Sequence, residues 1–297
     1  MVRRRFLLVA GVVAAAGLAI SSQPVLRAGA QSGGGCQLQG TANFTPSLSN
    51  TARAFSYNFS GSLSSCQSNV AGAPSSGNVG AGNVVAETVT INTAVGPKQA
   101  TFNYQEPTPS GSGSCGSSST SGTGFVVWAD GTRTAFAYST TGAAAAVALQ
   151  GQVTSSVVLQ PLPGQGITVQ VPRTVTDGVT TANSPVVTSA TANFSQTDVG
   201  AAISGAGIPA NATIASVQSA SSATLSASAT ASATGVSLTI TDSVFYPAPA
   251  YTWSTTRYTS ADSSNGVLAF EPPDPTLCNT TGVPTAGIQG EVVIGQA

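Results

Sequence analysis

The sequence predicts an all-β protein: a disulfide-stapled β-sandwich of immunoglobulin-like architecture, with a small β module inserted into it. Three observations lead there. Apolar and polar residues alternate in short runs bounded by glycine, proline, serine and asparagine, the pattern of strands and turns. Sustained helical periodicity is missing after residue 30. Four cysteines lie far apart in the 297-residue chain, at 36, 66, 115 and 278, a spacing that suits disulfides and not the close C-x2-C pairs of a zinc site.

Residues 1–30 read as a signal peptide. Arg3-Arg4-Arg5 is the basic start, Phe6 to Ile20 the apolar run, and Ala28-Gly29-Ala30 the cleavage site. The apolar run is too short to span a bilayer, which takes about 20 residues. RRRFLL also resembles a twin-arginine motif, with the general secretory route as the alternative. Removing this leader leaves five basic and ten acidic residues, a net charge of −5. No later stretch is long and apolar enough to span a membrane, so the expected location is extracellular.

Strand signals follow in order. Phe55, Tyr57 and Phe59 share one face of a strand, as do Phe102 and Tyr104. Residues 125–139 (FVVWADGTRTAFAYS) read as a hairpin with a type I′ turn at Asp130-Gly131. The alanine run Ala143–Ala146 leads into VALQGQVTSSVVLQ, which reads as strand rather than helix. Ile167, Val169 and Val171 alternate with polar residues on a half-buried surface. Four cysteines allow three pairings. Cys36–Cys66 with Cys115–Cys278 is the preferred one, because the first two flank one compact pair of strands.

Residues 176–242 have a different texture, with no Cys, Trp or Tyr and long Ser/Thr/Ala stretches. Composition alone would make them a low-complexity linker. Alternation at Val236-Ser-Leu238-Thr-Ile240 and Ala223-Thr-Leu225, and the turn Ile208-Pro209-Ala210-Asn211, favour a β module instead. Residues 31–175 and 243–297 would then form one discontinuous domain around it.

Two resemblances bear on this division. Phe194, Asp198-Val199-Gly200, Gly207-Ile208-Pro209 and the Ala/Thr-rich strand after them resemble a short β module of phage tail and tailspike proteins. That resemblance implies a structural or attachment element with no catalytic residues to carry over. CQLQGTANFTPSL, FSGSLSSCQS, the Trp128 strand with its Asp-Gly turn, and GVLAFEPPDPTLC are similar to a group of uncharacterised secreted actinobacterial proteins. The likeness implies no activity, and it supports joining both flanks into one domain, with Cys115–Cys278 stapling it across the insertion.

The chemistry is restricted first by the absence of histidine, which removes Ser-His-Asp and Cys-His nucleophiles and histidine general bases. Five mature basic residues are too few to neutralise a phosphate backbone, so nucleic acid is not an expected partner. Lys98, the sole lysine, follows Gly96-Pro97 as a turn residue would. Glu271-Pro-Pro-Asp274 is the only acidic cluster and the one candidate carboxylate pair for a hydrolase. No catalytic residue, cofactor or metal is expected. The segment VFYPAPAYTWSTTRY supplies a candidate binding face of Tyr251, Trp253 and Tyr258 with Arg257 beside them, of the kind that stacks on sugar rings. The resulting expectation is a secreted, non-enzymatic protein that binds or decorates a surface, glycan or cell wall. A carboxylate-dependent extracellular hydrolase using Glu271 or Asp274 is one alternative, and a purely structural coat protein is another.

Overall fold

The computed structural model describes residues 34–68 and 71–296, so the leader expected at 1–30 lies outside the described residues. In chain order the strands are β1 (Gly34–Leu48), β2 (Arg53–Gln67), β3 (Gly77–Ala81), β4 (Val84–Thr93), β5 (Gly96–Gln105), β6 (Ser110–Gly113), β7 (Ser117–Trp128), β8 (Arg133–Ala143) and β9 (Ala146–Thr154). After these come β10 (Ser156–Pro161), β11 (Gly166–Thr180), β12 (Val186–Thr188), β13 (Ala202–Ser204), β14 (Ile214–Ser219) and β15 (Ser222–Leu225). The last four are β16 (Ala233–Pro247), β17 (Tyr251–Ser254), β18 (Ser263–Glu271) and β19 (Val283–Gln296).

The main sheet closes on itself. Its order is β1-β19-β18-β9-β8-β7-β3-β2, and β2 pairs back to β1, so eight antiparallel staves form an up-and-down barrel. This ring replaces the immunoglobulin-like sandwich. Alternation fixes which side chains share a face, but a ring and a pair of stacked sheets have the same alternation. What decides between them is pairing partners, and β1 is long enough to pair on both sides, Gly34↔Ile294 with β19 and Leu38↔Leu63 with β2.

One stave is split. β3 covers Phe59 to Leu63 of β2, β6 covers Arg53 to Ser56, and both pair with β7. Between them the chain leaves the wall at Gly82, makes the β4–β5 hairpin and returns at Pro109, whose carbonyl accepts from the Tyr57 amide at 3.1 Å. Gly82 has φ +72, and a Cβ there would stand 2.7 Å from Pro109 Cδ, so the exit needs glycine.

A second excursion separates β9 from β18. Its strands β10 and β17 join the hairpin in a four-stranded sheet, β17-β10-β5-β4. That sheet lies over the outer face of the barrel, with Ile91, Phe102, Tyr104, Leu159 and Trp253 packed on Phe125 and Ala135 of β7 and β8. Hence FVVW is apolar on both sides: Phe125 is buried against this layer and Val126 and Trp128 point into the barrel, while Val127 is exposed. The turn that follows is not type I′. Only Gly131 has positive φ (80°), and Trp128 and Thr132 close a wider loop through an N–H···O bond of 2.9 Å.

The segment 176–242 is ordered β structure. Together with the flanking strand residues it forms a six-stranded sheet, β13-β16-β11-β12-β15-β14. Its own core includes Val187, Phe194, Ile203, Leu225, Leu238 and Ile240, so the alternation at 236–240 does mark an inward face. β11 and β16 pair from Gly166↔Pro247 to Thr180↔Ala233, so strands run through both ends of the insert. Asp177 accepts from Ser189 and Thr191, and Asp242 pairs with Arg173 at 2.6 Å, which makes both structural.

Candidate functional site

Both disulfides form as read from the sequence: Cys36–Cys66 and Cys115–Cys278. They sit toward opposite ends of the barrel. Cys36–Cys66 links β1 to β2 near the end where Trp128 meets the edge of Tyr258 at 6.0 Å. Cys115, in the β6–β7 turn, reaches Cys278 on a short 3-10 turn, Pro275–Asn279, that connects β18 to β19. The Asn50 amide donates to the Cys278 carbonyl at 3.0 Å and the Cys115 amide to Ser49 at 2.9 Å. That end is therefore covered by a stapled segment, with Leu277 packed beside Leu48, Phe55 and Val283.

The aromatic face expected at 251–258 is not an exposed platform. Trp253 is 3% exposed, its ring 5.2 Å from Phe125 and under the Arg133 guanidinium at 4.3 Å. Tyr251 leans on Tyr104 at 5.5 Å and its hydroxyl accepts from Arg133 at 2.7 Å. Tyr258 closes over Trp128, and Arg257 is held by Asp130 and Thr132 across the β7–β8 turn. In a chain this poor in aromatics the large rings go first to the core.

The Glu271–Asp274 pair does not converge on a reacting centre. Asp274 caps the 3-10 turn, accepting from the Thr276 amide at 2.9 Å and hydroxyl at 2.6 Å, and these bonds hold its carboxyl below the usual range. Glu271 accepts from Gln289 at 2.6 Å on the surface. Lys98 is exposed on β5, just past the Gly96 turn, as the sequence indicates.

A concave feature lies inside the barrel. A cavity of about 120 Å³ runs from Leu38, Val79 and Phe136 toward Phe44, Phe55 and Phe270. The interior of an eight-stranded ring is just wide enough for side chains to fill, so small residues facing inward leave space. Ala42, Gly80, Ala81, Gly124 and Gly142 all line this one. Ser114, Cys115 and Ala144 line it at the stapled end.

One wall of the cavity is polar. The Tyr138 hydroxyl is 2.6 Å from that of Tyr57, Tyr57 is 3.1 Å from Thr120 Oγ1, and Thr120 is 2.7 Å from Thr140 Oγ1. Burial raises the pKa of both tyrosines, so the chain of hydroxyls is neutral throughout the physiological range. Beside it, at the split stave, Glu106 is 2% exposed; its carboxylate accepts from the Asn83 amide at 2.9 Å, and Gln105 ties the same corner to Gly82 and Asn83. Burial pushes the Glu106 carboxyl up to about 7, with the Asn83 bond opposing, and its charge is felt at Tyr138.

None of these five residues stands out in the sequence. The one available signal is Tyr57 in an otherwise apolar inward row with Phe55 and Phe59, since a hydroxyl on such a face needs a partner. Compared with protein-family models, curated proteins and solved structures, the chain matches none.

Proposed function

We propose that this is an extracellular, non-enzymatic binding protein whose barrel encloses a small, mainly apolar molecule. The observation that carries the reading is the 120 Å³, mainly apolar cavity with its wall of linked hydroxyls. A dry apolar cavity of similar volume takes a single-ring molecule such as benzene. The two disulfides and the leader-like start support an oxidising, extracellular setting. The absence of histidine, and the structural use of Asp130, Asp177, Asp198 and Asp274, support a role without catalysis.

Toluene tests this directly. It should raise the Tm of the intact protein with a dose dependence that follows mass action. Ala42→Leu, which fills the cavity, should abolish the shift. A Tm that toluene leaves unchanged in the unsubstituted protein would remove the reading.

A second reading, attachment to glycan or cell wall, is favoured by one observation: the inserted module has a core of its own on a continuous two-stranded ribbon. The register allows a clean removal, replacing 176–237 by an Asn-Gly turn that leaves Val175 and Leu238 paired. Retention on cell walls or insoluble polysaccharide that disappears with this replacement would assign attachment to the module. Retention by neither form would leave a purely structural coat role as the alternative for that part.

A further inference from the structure

We infer that the molecule held in the barrel is neutral and carries one hydrogen-bond acceptor on a ring-sized apolar body, as an aryl carbonyl compound does. This rests on the cavity being a binding site, as proposed above, and adds what the site selects.

Tyr138, Tyr57, Thr120 and Thr140 have four hydroxyl protons, and the three contacts that join them use three. The fourth proton is left on one of the four hydroxyls, whichever the bond directions select, and all four residues line the cavity. A donor with mainly apolar surroundings is poorly met, so an acceptor carried in on an apolar ring gains a bond there. Apart from Ser114, Ser117 and Ser118 toward the stapled end, the rest of the lining is apolar, and Phe44, Phe55, Phe136 and Phe270 surround the body of the space, which suits a ligand with one polar group.

Charge is excluded from both sides. Among the described residues no arginine or lysine lines the cavity, so an anion would lack a cationic partner and lie beside the field of Glu106. Glu106 itself does not line the cavity, and one of its carboxylate oxygens already accepts from Asn83, so a cation would find no carboxylate facing it.

The test compares benzaldehyde with styrene, two rings of the same shape that differ in a carbonyl oxygen. Affinities are measured for the intact protein and for the variant Tyr57→Phe/Tyr138→Phe/Thr120→Val/Thr140→Val. Removing all the partners together leaves no orphaned hydroxyl and costs little stability. The benzaldehyde-to-styrene affinity ratio should fall about tenfold in the variant. A ratio unchanged by the substitutions overturns the inference while leaving the cavity a binding site. Binding of neither compound overturns both. If the variant does not fold, the carbonyl stretch of benzaldehyde bound to the intact protein decides. A frequency below its value in hexane supports the hydrogen bond, and the hexane value overturns it.

Discussion

The barrel and the module it carries both bury one face of each strand, but they do so with different materials. The barrel points Phe44, Phe55, Trp128, Phe136 and Phe270 inward and still encloses a void. The module uses valine, leucine, isoleucine and alanine with one ring, Phe194, and its connections supply Ala192, Ala201 and Ala212 to close the core. The difference lies in what can adjust. The diameter of a closed ring is set by its stave number, so an inward glycine or alanine leaves a hole. An open sheet lets its covering loops settle onto it, and small side chains then pack to normal density. The Ser/Thr/Ala texture that suggests a linker is thus a workable composition for an open sheet and a poor one for a ring.

Four experiments test this contrast. The largest effect should come from Cys115→Ser/Cys278→Ser, which releases a 163-residue loop and should cost the barrel about 5 kcal/mol; Cys36→Ser/Cys66→Ser, over 30 residues, should cost about 3.5. Both tryptophans lie outside the module, so their fluorescence follows the barrel and its covering layer, while circular dichroism follows everything. The module's own transition should not move.

Next is the cost of a missing leucine. Leu238→Ala in the fully buried module core should cost about 4 kcal/mol in denaturant unfolding. Leu149→Ala, beside the existing cavity, should cost about 2 kcal/mol, because Leu149 already borders empty space. Equal costs would mean that the void is not retained in solution.

Glu106 gives the third. The folded protein holds its proton more tightly than the unfolded chain, with a pKa of about 7 against 4.5. Stability from this group is then fully present below pH 4.5 and is lost as pH rises from there through 7, by about 3 kcal/mol in all. With no histidine in the chain, nothing of ordinary side-chain pKa competes in that window. Glu106→Gln should flatten the profile between pH 5 and 8, and a slope that persists would point to another group.

The smallest effect belongs to the clasp between ribbon and module. Arg173 lies 2.8 Å from the buried Asp198 and 2.6 Å from Asp242. Arg173→Met should cost the module about 1 kcal/mol, since the arginine is partly solvated, and leave tryptophan fluorescence untouched.

The sequence is a good guide wherever the determinant is local. Val236, Leu238 and Ile240 alternate because one face meets a core, and the four cysteines pair as their flanking strands suggest. It is a poor guide wherever the determinant is which strand meets which. Gly34 and Ile294 pair across almost the whole chain, and no local pattern in either distinguishes a ring from a sandwich. The site was hidden for the same reason. Tyr57, Thr120, Tyr138 and Thr140 become neighbours only when three staves close round them, and Glu106 is buried only because the stave beside it is split. The aromatic segment misled in the opposite sense: Trp253 looks like a binding residue in sequence and is spent on the layer beneath it.

The seam between β1 and β19 has a consequence for how the chain reaches this form. β1 can zip onto β2 as soon as both exist, but its other rim waits for a partner about 260 residues further along. Closing so long a loop is entropically slow, and the complete module lies within it. Until β19 arrives, β1 and β18 are both open edges, able to recruit strands from other chains. Arrival of the last strand therefore ends the period of aggregation risk, and a chain stalled before residue 283 should polymerise rather than stay monomeric.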